Sequence, residues 1–388
     1  MRWRRWTLIS LGSILLIGAI LLAFWSIAIG PVAVWRVLTH GTTTVWDHLE
    51  YPGHELRASG SPRPWPDHRG DPPMVSVDGD QTPLPEILAD RDSLAFLVVH
   101  DGAVEYSWAA EGHAVSTPTM VFSVTKSVTS LMVGAAIEDG LIGSVDDPIT
   151  RYLPELSGRG FDSVTIGDAL HMDTGSTYVE DDNPFGIHVE FNYTDHLEDS
   201  ILGLRARADR RAKGFIYKSG DNALLGLVLE RVLAPETISD FLQRRFLDPL
   251  GTEDGGVWST DREGGLERTW CCLALSARDL AKFGQLVIDG GMSDGTEVIS
   301  REWLDASFTP HYGPDGWPAD YTDTSLNDYG YQWWLLDDGS VLALGKNGQY
   351  LYIDTARRVV LVRTGTSQGS GWLGILREVA EQYPIVEG

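Results

Sequence analysis

The distribution of hydrophobic and polar residues divides the chain into three parts. An apolar run from Thr7 to Gly30 follows a basic N-terminus, and a proline-rich stretch comes after it. The remainder alternates apolar and polar residues with the periods of strands and helices. We therefore predict an N-terminal membrane anchor over residues 1–36, a proline-rich lead-in or linker over residues 37–88, and one folded domain over residues 89–388.

The apolar run is long enough to cross a bilayer as a helix, because about 20 apolar residues span the hydrocarbon core. Arg2, Arg4 and Arg5 precede the run, and the next charged residue is Arg36. This asymmetry predicts a single-pass anchor with the rest of the chain on the periplasmic or extracellular side. A cleaved signal peptide is the alternative, since residues 26–28 have the small-x-small pattern of a cleavage site.

Within the third part, the hydrophobic period changes from strand to helix and back to strand. An Asp-Gly pair at 101–102 between two apolar runs indicates a β-hairpin. We predict helices over 123–139, 222–232, 276–288 and 373–382, and strands over 94–99, 103–108, 329–335, 341–344, 350–353 and 359–363. This order predicts an α+β fold in which an antiparallel sheet built from both chain ends is flanked by helices and a mainly helical region is inserted.

Composition excludes some functions. The 55 acidic and 30 basic residues give a formal net charge of −25, and such a surface repels phosphate backbones, so we expect no nucleic-acid partner. The ten histidines show no metal-binding spacing, so we predict no metal site. Cys271 and Cys272 are adjacent, and neighbours rarely form an unstrained disulfide, so we expect them to be small apolar core residues.

A Ser-x-x-Lys motif opens the helix predicted over 123–139. Ser123 and Lys126 lie three residues apart, so a helix places the ammonium group beside the hydroxyl. The helix N-terminus supplies free N–H groups and positive potential for an oxyanion, and a buried lysine titrates low enough to accept the proton of the serine. The alternative is that Ser123 only caps the helix.

Two further motifs fit the same chemistry. Tyr217 and Ser219 form a Tyr-Lys-Ser sequence just before the helix at 222–232, and a tyrosine relays protons when a nearby lysine lowers its pKa. A Gly-Lys-Asn-Gly-Gln sequence at 345–349 precedes a C-terminal strand. A glycine-bearing strand lets its backbone N–H groups approach a substrate carbonyl, as in an oxyanion hole.

In this order the three motifs resemble those of serine β-lactamases and penicillin-binding-protein-like hydrolases, in the group with class C β-lactamases, family VIII-type esterases and 6-aminohexanoate-dimer hydrolases. The resemblance covers about residues 90–380 and includes the connecting segments 139–141, 146–149 and 277–284. It implies that Ser123 is the acylated nucleophile, Lys126 its general base or charge tuner, and Tyr217 the proton relay. It also implies an oxyanion hole formed by the N–H of Ser123 and one N–H of residues 346–349, with no cofactor.

Two departures from the lactamase pattern bear on the substrate. Ser219 stands where the lactamases have Asn, and the chain reads Lys-Asn-Gly where they have Lys-Thr-Gly. The motifs are more similar to the 6-aminohexanoate-dimer hydrolase branch, which cleaves linear amides and simple esters. The resemblance implies these substrate-binding residues: Lys346, Asn347, Gly348, Gln349 and Ser219. Asp181, in a loop that borders the pocket in that branch, is a candidate for binding a substrate ammonium group, and a solvated acidic loop is the alternative.

The expected protein is thus a serine hydrolase that acts through an acyl-enzyme on amide or ester bonds of small molecules. A β-lactamase or D-alanyl-D-alanine carboxypeptidase-like enzyme is the alternative within the family. A non-catalytic, penicillin-binding-like envelope sensor is the alternative from another class. A second serine motif at 365–369 matches the nucleophile motif of α/β-hydrolases, but no histidine follows it to complete a triad.

Overall fold

A computed structural model describes residues 2–68, 70–77, 79–207, 214–318 and 325–386. Its α-helices are α1 (Arg2–Ile29), α2 (Pro31–His40), α3 (Leu84–Asp90), α4 (Val124–Glu138), α5 (Ile166–Leu170), α6 (Ile187–Tyr193), α7 (Leu197–Leu202), α8 (Ser219–Leu233), α9 (Ile238–Leu242), α10 (Asp248–Leu250), α11 (Ala277–Ile288), α12 (Arg301–Ser307), α13 (Gly313–Gly316) and α14 (Trp372–Ala380). Its strands are β1 (Gly53–Leu56), β2 (Met74–Val77), β3 (Asp80–Pro83), β4 (Ser93–His100), β5 (Ala103–Ala109), β6 (Thr119–Met120), β7 (Gly256–Ser259), β8 (Leu273–Leu275), β9 (Met292–Ser293), β10 (Thr296–Glu297), β11 (Leu326–Tyr329), β12 (Trp334–Leu336), β13 (Val341–Gly345), β14 (Gln349–Asp354) and β15 (Val359–Gly365).

The main sheet has seven antiparallel strands in the order β11-β12-β13-β14-β15-β4-β5. The two chain ends meet in this sheet because β15 pairs with β4, with Val360 opposite Val99. Helices cover the sheet, and a mainly helical region lies between the strands in sequence. This confirms the predicted α+β class and the antiparallel sheet built from both chain ends.

Both faces of the central strands are buried. In β14, Leu351 and Ile353 belong to one hydrophobic cluster, whereas Tyr350 and Tyr352 belong to the other, because successive side chains of a strand point to opposite faces. Helix α11 packs on the first face, and α14 contributes to the second cluster. The sheet is therefore the middle layer of three.

Helix α4 is the central helix of the domain. Every residue from 124 to 136 is buried, so this part of the helix has no solvent face, although the sequence predicts only one apolar stripe. It packs against α8 on one side and against β13 and β14 on another. A helix packed in this way holds its N-terminal residues rigidly, which makes α4 a firm support for a functional site.

The strand predicted over 329–335 is interrupted. β11 ends at Tyr329 and β12 begins at Trp334, with a turn between them. Gln332 has a φ of 62° in this turn, and its side-chain amide donates to the carbonyl oxygens of Ala169 and Leu170. Gln332 is buried although it lies in a turn, because its side chain makes these hydrogen bonds. The local sequence does not reveal these contacts, so the segment looks like one continuous strand.

The described residues of the proline-rich lead-in pack on the domain. β1 pairs with β7 and thereby joins a second sheet, of order β1-β7-β8-β6. Further along, the indole N–H of Trp65 donates to the carbonyl of Arg278. The lead-in is therefore draped over the body.

The apolar N-terminal segment is bent. Among the described residues, no single helix is long and apolar enough to span a membrane. The helical segments Leu15–Ile29 and Pro31–His40 are long and apolar enough only when they are taken together, and the angle between them is 112°. Gly30, with a φ of 89°, separates the two helices. Length and composition of this kind suit a broken span, a re-entrant loop and a signal sequence alike.

Helix α2 is tied to the body by hydrogen bonds. The guanidinium of Arg36 donates to the carbonyl oxygens of Tyr193, Thr194 and Asp261. Near the end of α1, the indole N–H of Trp25 donates to the carbonyl of Pro184. The two helices therefore have a defined position on the domain, next to α6.

Candidate active site

A cavity of about 290 Å³ opens beside the N-terminus of α4. Its walls come from the lead-in, from the start of α4, from the acidic loop before α6, from the segment before β8 and from the end of β13. The described residues that line it are Thr43, Asp47, Tyr51, Met120, Phe122, Ser123, Glu180, Asp181, Asp182, His188, Asn192, Ser219, Ser259, Arg268, Trp270, Cys271, Cys272 and Lys346.

Ser123 and Lys126 are in direct contact. The Lys126 Nζ lies 2.8 Å from the Ser123 Oγ and also donates to the carbonyl oxygen of Trp270, at 2.8 Å. Lys126 is only 1% exposed. Burial lowers the pKa of Lys126 to about 8, while the negative charge of Glu180 acts in the opposite direction. A substantial fraction of such a lysine is neutral just above neutral pH and can accept a proton.

The chain before α4 determines where the serine lies. β6 pairs with β8, and the N–H of Val121 then donates to the carbonyl of Leu273 at 2.8 Å. Phe122 has a φ of 47°, a left-handed conformation that is uncommon for a bulky residue. This sharp change of direction places Ser123 at the start of the helix, with its side chain in the cavity wall.

Tyr217 joins this pair from a distant part of the sequence. The Lys126 Nζ lies 4.8 Å from the centroid of the Tyr217 ring. The ring stacks on Trp334, with centroids 5.5 Å apart and planes at 13°. The structure therefore brings together the three residues that the sequence singles out as nucleophile, base and relay.

Ser219 is hydrogen-bonded to Glu180, an acidic residue that no sequence motif singled out. The carboxylate of Glu180 accepts from the Ser219 N–H at 2.6 Å and from the Ser219 hydroxyl at 2.7 Å. His188 Nδ1 lies 2.7 Å from the hydroxyl of Tyr178, and burial lowers the pKa of His188, while Glu180 opposes this. Asn192, four residues after His188, contacts its other ring nitrogen at 3.0 Å.

A sequence signal for part of this network existed. His188 and Asn192 are four residues apart, which places them on one face of a helix. The pairing of Glu180 with Ser219 had no such signal, because the two belong to segments that meet only in the folded chain.

The end of β13 lies against the backbone of the serine. A Cβ atom added at Gly345 would lie 2.3 Å from the carbonyl oxygen of Val121 and 3.2 Å from the backbone nitrogen of Ser123. Only glycine allows this approach. Lys346, the next residue, lines the cavity. The backbone at 345–346 is therefore the part of the glycine-rich segment that faces Ser123.

Asn347, Gly348 and Gln349 lie in and beside the turn that follows β13. Asn347 and Gly348 have φ values of 61° and 76° and form the turn between β13 and β14. The side-chain amide of Gln349 is buried and donates to the carbonyl of Gly365 at 2.7 Å and to those of Lys346 and Asn347. None of these three residues lines the cavity, because they form and stabilise the hairpin turn.

Asp181 lies at the mouth of the cavity. It is exposed, flanked by Glu180 and Asp182, and all three line the opening. Its carboxylate accepts from the N–H of Asn183 at 3.3 Å. Asp181 therefore lies at the border of the cavity, at the predicted position.

The expectation for the cysteines is wrong. Cys271 and Cys272 form a disulfide, and both line the cavity. We expected no disulfide because disulfides between adjacent cysteines are rare. In the structure Cys272 has a φ of 70°, a turn conformation that no residue pattern indicates. Among the described residues, no group of three or more His, Cys, Asp or Glu side chains is arranged to hold a metal ion.

The chain is similar to proteins of known family. The Beta-lactamase family model matches residues 85–381. The 6-aminohexanoate-dimer hydrolase of Paenarthrobacter ureafaciens is 27% identical over 320 residues, which cover 75% of this chain and 78% of that protein.

Solved structures share the fold. A Bacillus anthracis protein provisionally named a 6-aminohexanoate-dimer hydrolase has a TM-score of 0.75 at 20% identity and covers 87% of this chain and 95% of its own. EstCE1, a hydrolase with promiscuous acyltransferase activity, has a TM-score of 0.61 at 17% identity, with coverages of 77% and 96%. A class C β-lactamase has a TM-score of 0.59 at 13% identity, with coverages of 79% and 94%. The fold is that of β-lactamases and transpeptidases, and the chain belongs to the Beta-lactamase family.

Proposed function

We propose that this protein is a serine hydrolase that forms an acyl-enzyme at Ser123 and cleaves amide or ester bonds of small molecules. The observation that carries the proposal is the contact of 2.8 Å between the Lys126 Nζ and the Ser123 Oγ, made in a cavity wall by a lysine with a lowered pKa. A hydroxyl next to a neutral amine is an activated nucleophile. Membership of a family of hydrolases supports this reading.

The mechanism follows from the positions of the side chains. The Ser123 oxygen attacks the substrate carbonyl while its proton passes to the neutral amine of Lys126. The N–H groups of Ser123 and Lys346 stabilise the resulting oxyanion, as the close approach of Gly345 to Ser123 suggests. Tyr217, whose ring lies beside Lys126, passes the proton to the leaving alcohol or amine. Water then attacks the acyl-enzyme and regenerates the serine.

The mouth of the cavity supports a substrate that carries a cationic group. Glu180, Asp181 and Asp182 give this side of the cavity a negative potential, which attracts ammonium groups. The similarity to a 6-aminohexanoate-dimer hydrolase supports a linear amide substrate, and that to EstCE1 supports esters. We assign the ammonium group to Asp181, one of the two exposed acids of this loop, with Asp182, whose carboxylates are not engaged by Ser219.

We further propose that the helix pair α1–α2 anchors the protein to a membrane, with the hydrolase domain on the outer side. The basic N-terminus before the apolar helices supports this orientation. Fractionation of the cells that produce the protein tests it. Recovery in an alkali-washed membrane pellet is expected, and recovery of the uncleaved chain in the cytosol would end the proposal.

Labelling of the purified protein tests the acyl-enzyme. Intact-protein mass spectrometry after a fluorophosphonate probe should show one adduct on Ser123, together with turnover of p-nitrophenyl butyrate. Ser123→Ala should lose both the adduct and the turnover. Ser367→Ala is the matched control, because Ser367 lies in the competing Gly-x-Ser-x-Gly motif, and it should keep both.

Penicillin G separates the alternatives within the family. A stable penicilloyl adduct on Ser123 without ester turnover would move the protein to the penicillin-binding enzymes, and rapid turnover of penicillin G would make it a β-lactamase. No adduct with either reagent in a folded protein would contradict the proposed hydrolase and favour the envelope sensor.

A further inference from the structure

The disulfide between Cys271 and Cys272 lies in the wall of the cavity that holds Ser123. Both cysteines are more than nine-tenths buried, and the bond forms a covalent ring within two adjacent residues. It follows directly after Trp270, whose carbonyl oxygen accepts the hydrogen bond from the Lys126 Nζ. The disulfide is therefore next in sequence to a group that contacts the candidate base.

The two cysteines occupy a tight turn. The N–H of Leu273 donates to the carbonyl oxygen of Cys271 at 2.9 Å, so Cys272 is the central residue of a three-residue turn. Cys272 has a φ of 70° there, in the left-handed region that favours glycine. A residue with a Cβ atom adopts such a turn only when its surroundings hold it, and here a covalent bond joins it to its neighbour.

The turn holds the serine and the lysine from two sides. On its N-terminal side, the carbonyl of Trp270 binds the Lys126 ammonium at 2.8 Å. On its C-terminal side, the carbonyl of Leu273 accepts from the N–H of Val121, two residues before Ser123. Within the turn, the carbonyl of Cys272 accepts from the N–H of Ser259 in β7. The turn is therefore linked by hydrogen bonds to Lys126 and to the chain just before Ser123.

We propose that the Cys271–Cys272 disulfide is a positioning element for Ser123 and Lys126, and that its reduction by a dithiol slows acylation of Ser123. This inference rests on the proposed hydrolase function. Reduction transfers two electrons and two protons from the dithiol, so that the S–S bond breaks, two cysteine thiols form and the reductant becomes a cyclic disulfide. The cavity that both cysteines line is the route by which a small reductant reaches them.

The physical basis is the loss of a constraint on the turn. Once the thiols separate, Cys272 is no longer held at positive φ by a covalent bond and relaxes toward the conformations that side chains with a Cβ prefer. The carbonyl groups of Trp270 and Leu273 then lose their positions relative to Lys126 and Val121. Because a shift of about 1 Å in a catalytic group costs up to about 100-fold in rate, we expect the reduced protein to acylate about 10- to 100-fold more slowly.

The experiment measures the rate of fluorophosphonate labelling of Ser123 in the full chain before and after treatment with dithiothreitol. Alkylation and mass spectrometry count the free thiols in each sample, and oxidised glutathione is used to re-form the bond. The expected result is no free thiol and fast labelling at first, two thiols and slow labelling after reduction, and recovery on reoxidation.

Two double variants separate positioning from general stability. Cys271→Ala with Cys272→Ala lacks the disulfide and keeps a Cβ at positive φ, so it should label as slowly as the reduced protein. Cys271→Ala with Cys272→Gly also lacks the disulfide, but glycine adopts the left-handed turn without a steric penalty. It should therefore label close to the wild-type rate and should not respond to dithiothreitol. Thermal unfolding of each variant checks that the chain is folded.

Three outcomes overturn the proposal. Free thiols in the untreated exported protein would show that the bond does not form. Equal labelling rates with and without the bond, or equal rates in the alanine and glycine variants, would show that the turn does not position the serine and the lysine. Absence of labelling in every form, including the oxidised wild type, would count against the proposed hydrolase itself, and this pattern is distinct from redox-independent labelling.

Discussion

The inner and outer walls of the cavity differ in burial and in charge. The inner wall is formed by Ser123 and Trp270, with Lys126 buried directly behind them, and these residues are held by the buried part of α4 and by strand pairing. The outer wall is the acidic loop of Glu180, Asp181 and Asp182, whose residues are exposed at the mouth. The inner wall is largely buried, and the outer wall is exposed and acidic.

This difference indicates that the two walls have different roles. Burial is what lowers the pKa of Lys126, so the inner wall has the property that acyl transfer needs. The outer wall is a surface loop, so it can be altered without disturbing the core. We therefore expect changes in the inner wall to affect the acylation rate strongly, and changes in the outer wall to affect substrate preference weakly.

Removal of the buried amine should have the largest effect. Lys126→Met should lower the acylation rate by about 10²- to 10⁴-fold, because the Ser123 hydroxyl loses its proton acceptor. Lys282→Met is the matched control: Lys282 is also buried with a lowered pKa, but its ammonium binds the carbonyl of Arg63, away from the cavity. If both variants lost activity equally, the special role of Lys126 would be refuted.

Crowding of the β13 edge should come next. Gly345→Ala places a Cβ 2.3 Å from the Val121 carbonyl, so the strand must move away from Ser123 and its N–H groups no longer converge. Loss of an oxyanion donor costs about 10²- to 10³-fold in rate, which ester hydrolysis will measure. Gly374→Ala, in α14, meets no atom within 4 Å and should leave the rate unchanged.

The pH dependence tests the inner wall without mutation. Only the neutral amine of Lys126 accepts a proton, and its fraction grows with pH until the pKa of about 8 is passed. The labelling rate of Ser123 should therefore rise about tenfold per pH unit below that value and level off above it. A flat profile across this range in folded protein would contradict the role of Lys126 as base.

The smallest effect is expected at the outer wall. Asp181→Asn should raise KM about two- to fivefold for amides that carry an ammonium group, because an exposed ion pair contributes little in water. KM for p-nitrophenyl butyrate, which has no charge, should stay the same. Asp294→Asn, an exposed acid outside the cavity lining, is the control. Equal changes for charged and neutral substrates would show that Asp181 does not select charge.

The extent to which the site was predictable depends on the distance between its parts in sequence. Ser123 and Lys126 are one helical turn apart, so their contact follows from local geometry. Tyr217 and Ser219 were found through their motif, and the structure brings Tyr217 to Lys126 as expected. Glu180 and the Trp270 carbonyl were missed as site members, because no local pattern indicates which loops or carbonyl groups meet. His188 was also missed, although its four-residue spacing from Asn192 was a local signal.

The glycine-rich segment shows why the sequence could not indicate which of its N–H groups faces Ser123. The motif alone does not say where β13 ends and the turn begins, and a shift of one or two residues decides which N–H groups face the serine. Strand pairing places Gly345 opposite Gln349, so Asn347 and Gly348 form the turn and only Lys346 reaches the cavity. This register is set by the whole sheet.

The sequence by itself determined the α+β class, the antiparallel sheet from both chain ends and the Ser123–Lys126 pair, because hydrophobic periodicity and helical spacing are local properties. Only the tertiary structure decided the bend at Gly30, the disulfide at 271–272, the contact of Glu180 with Ser219 and the low pKa of Lys126. Each of these depends on burial or on contacts between residues far apart in the chain, and those are created only when the layers pack together.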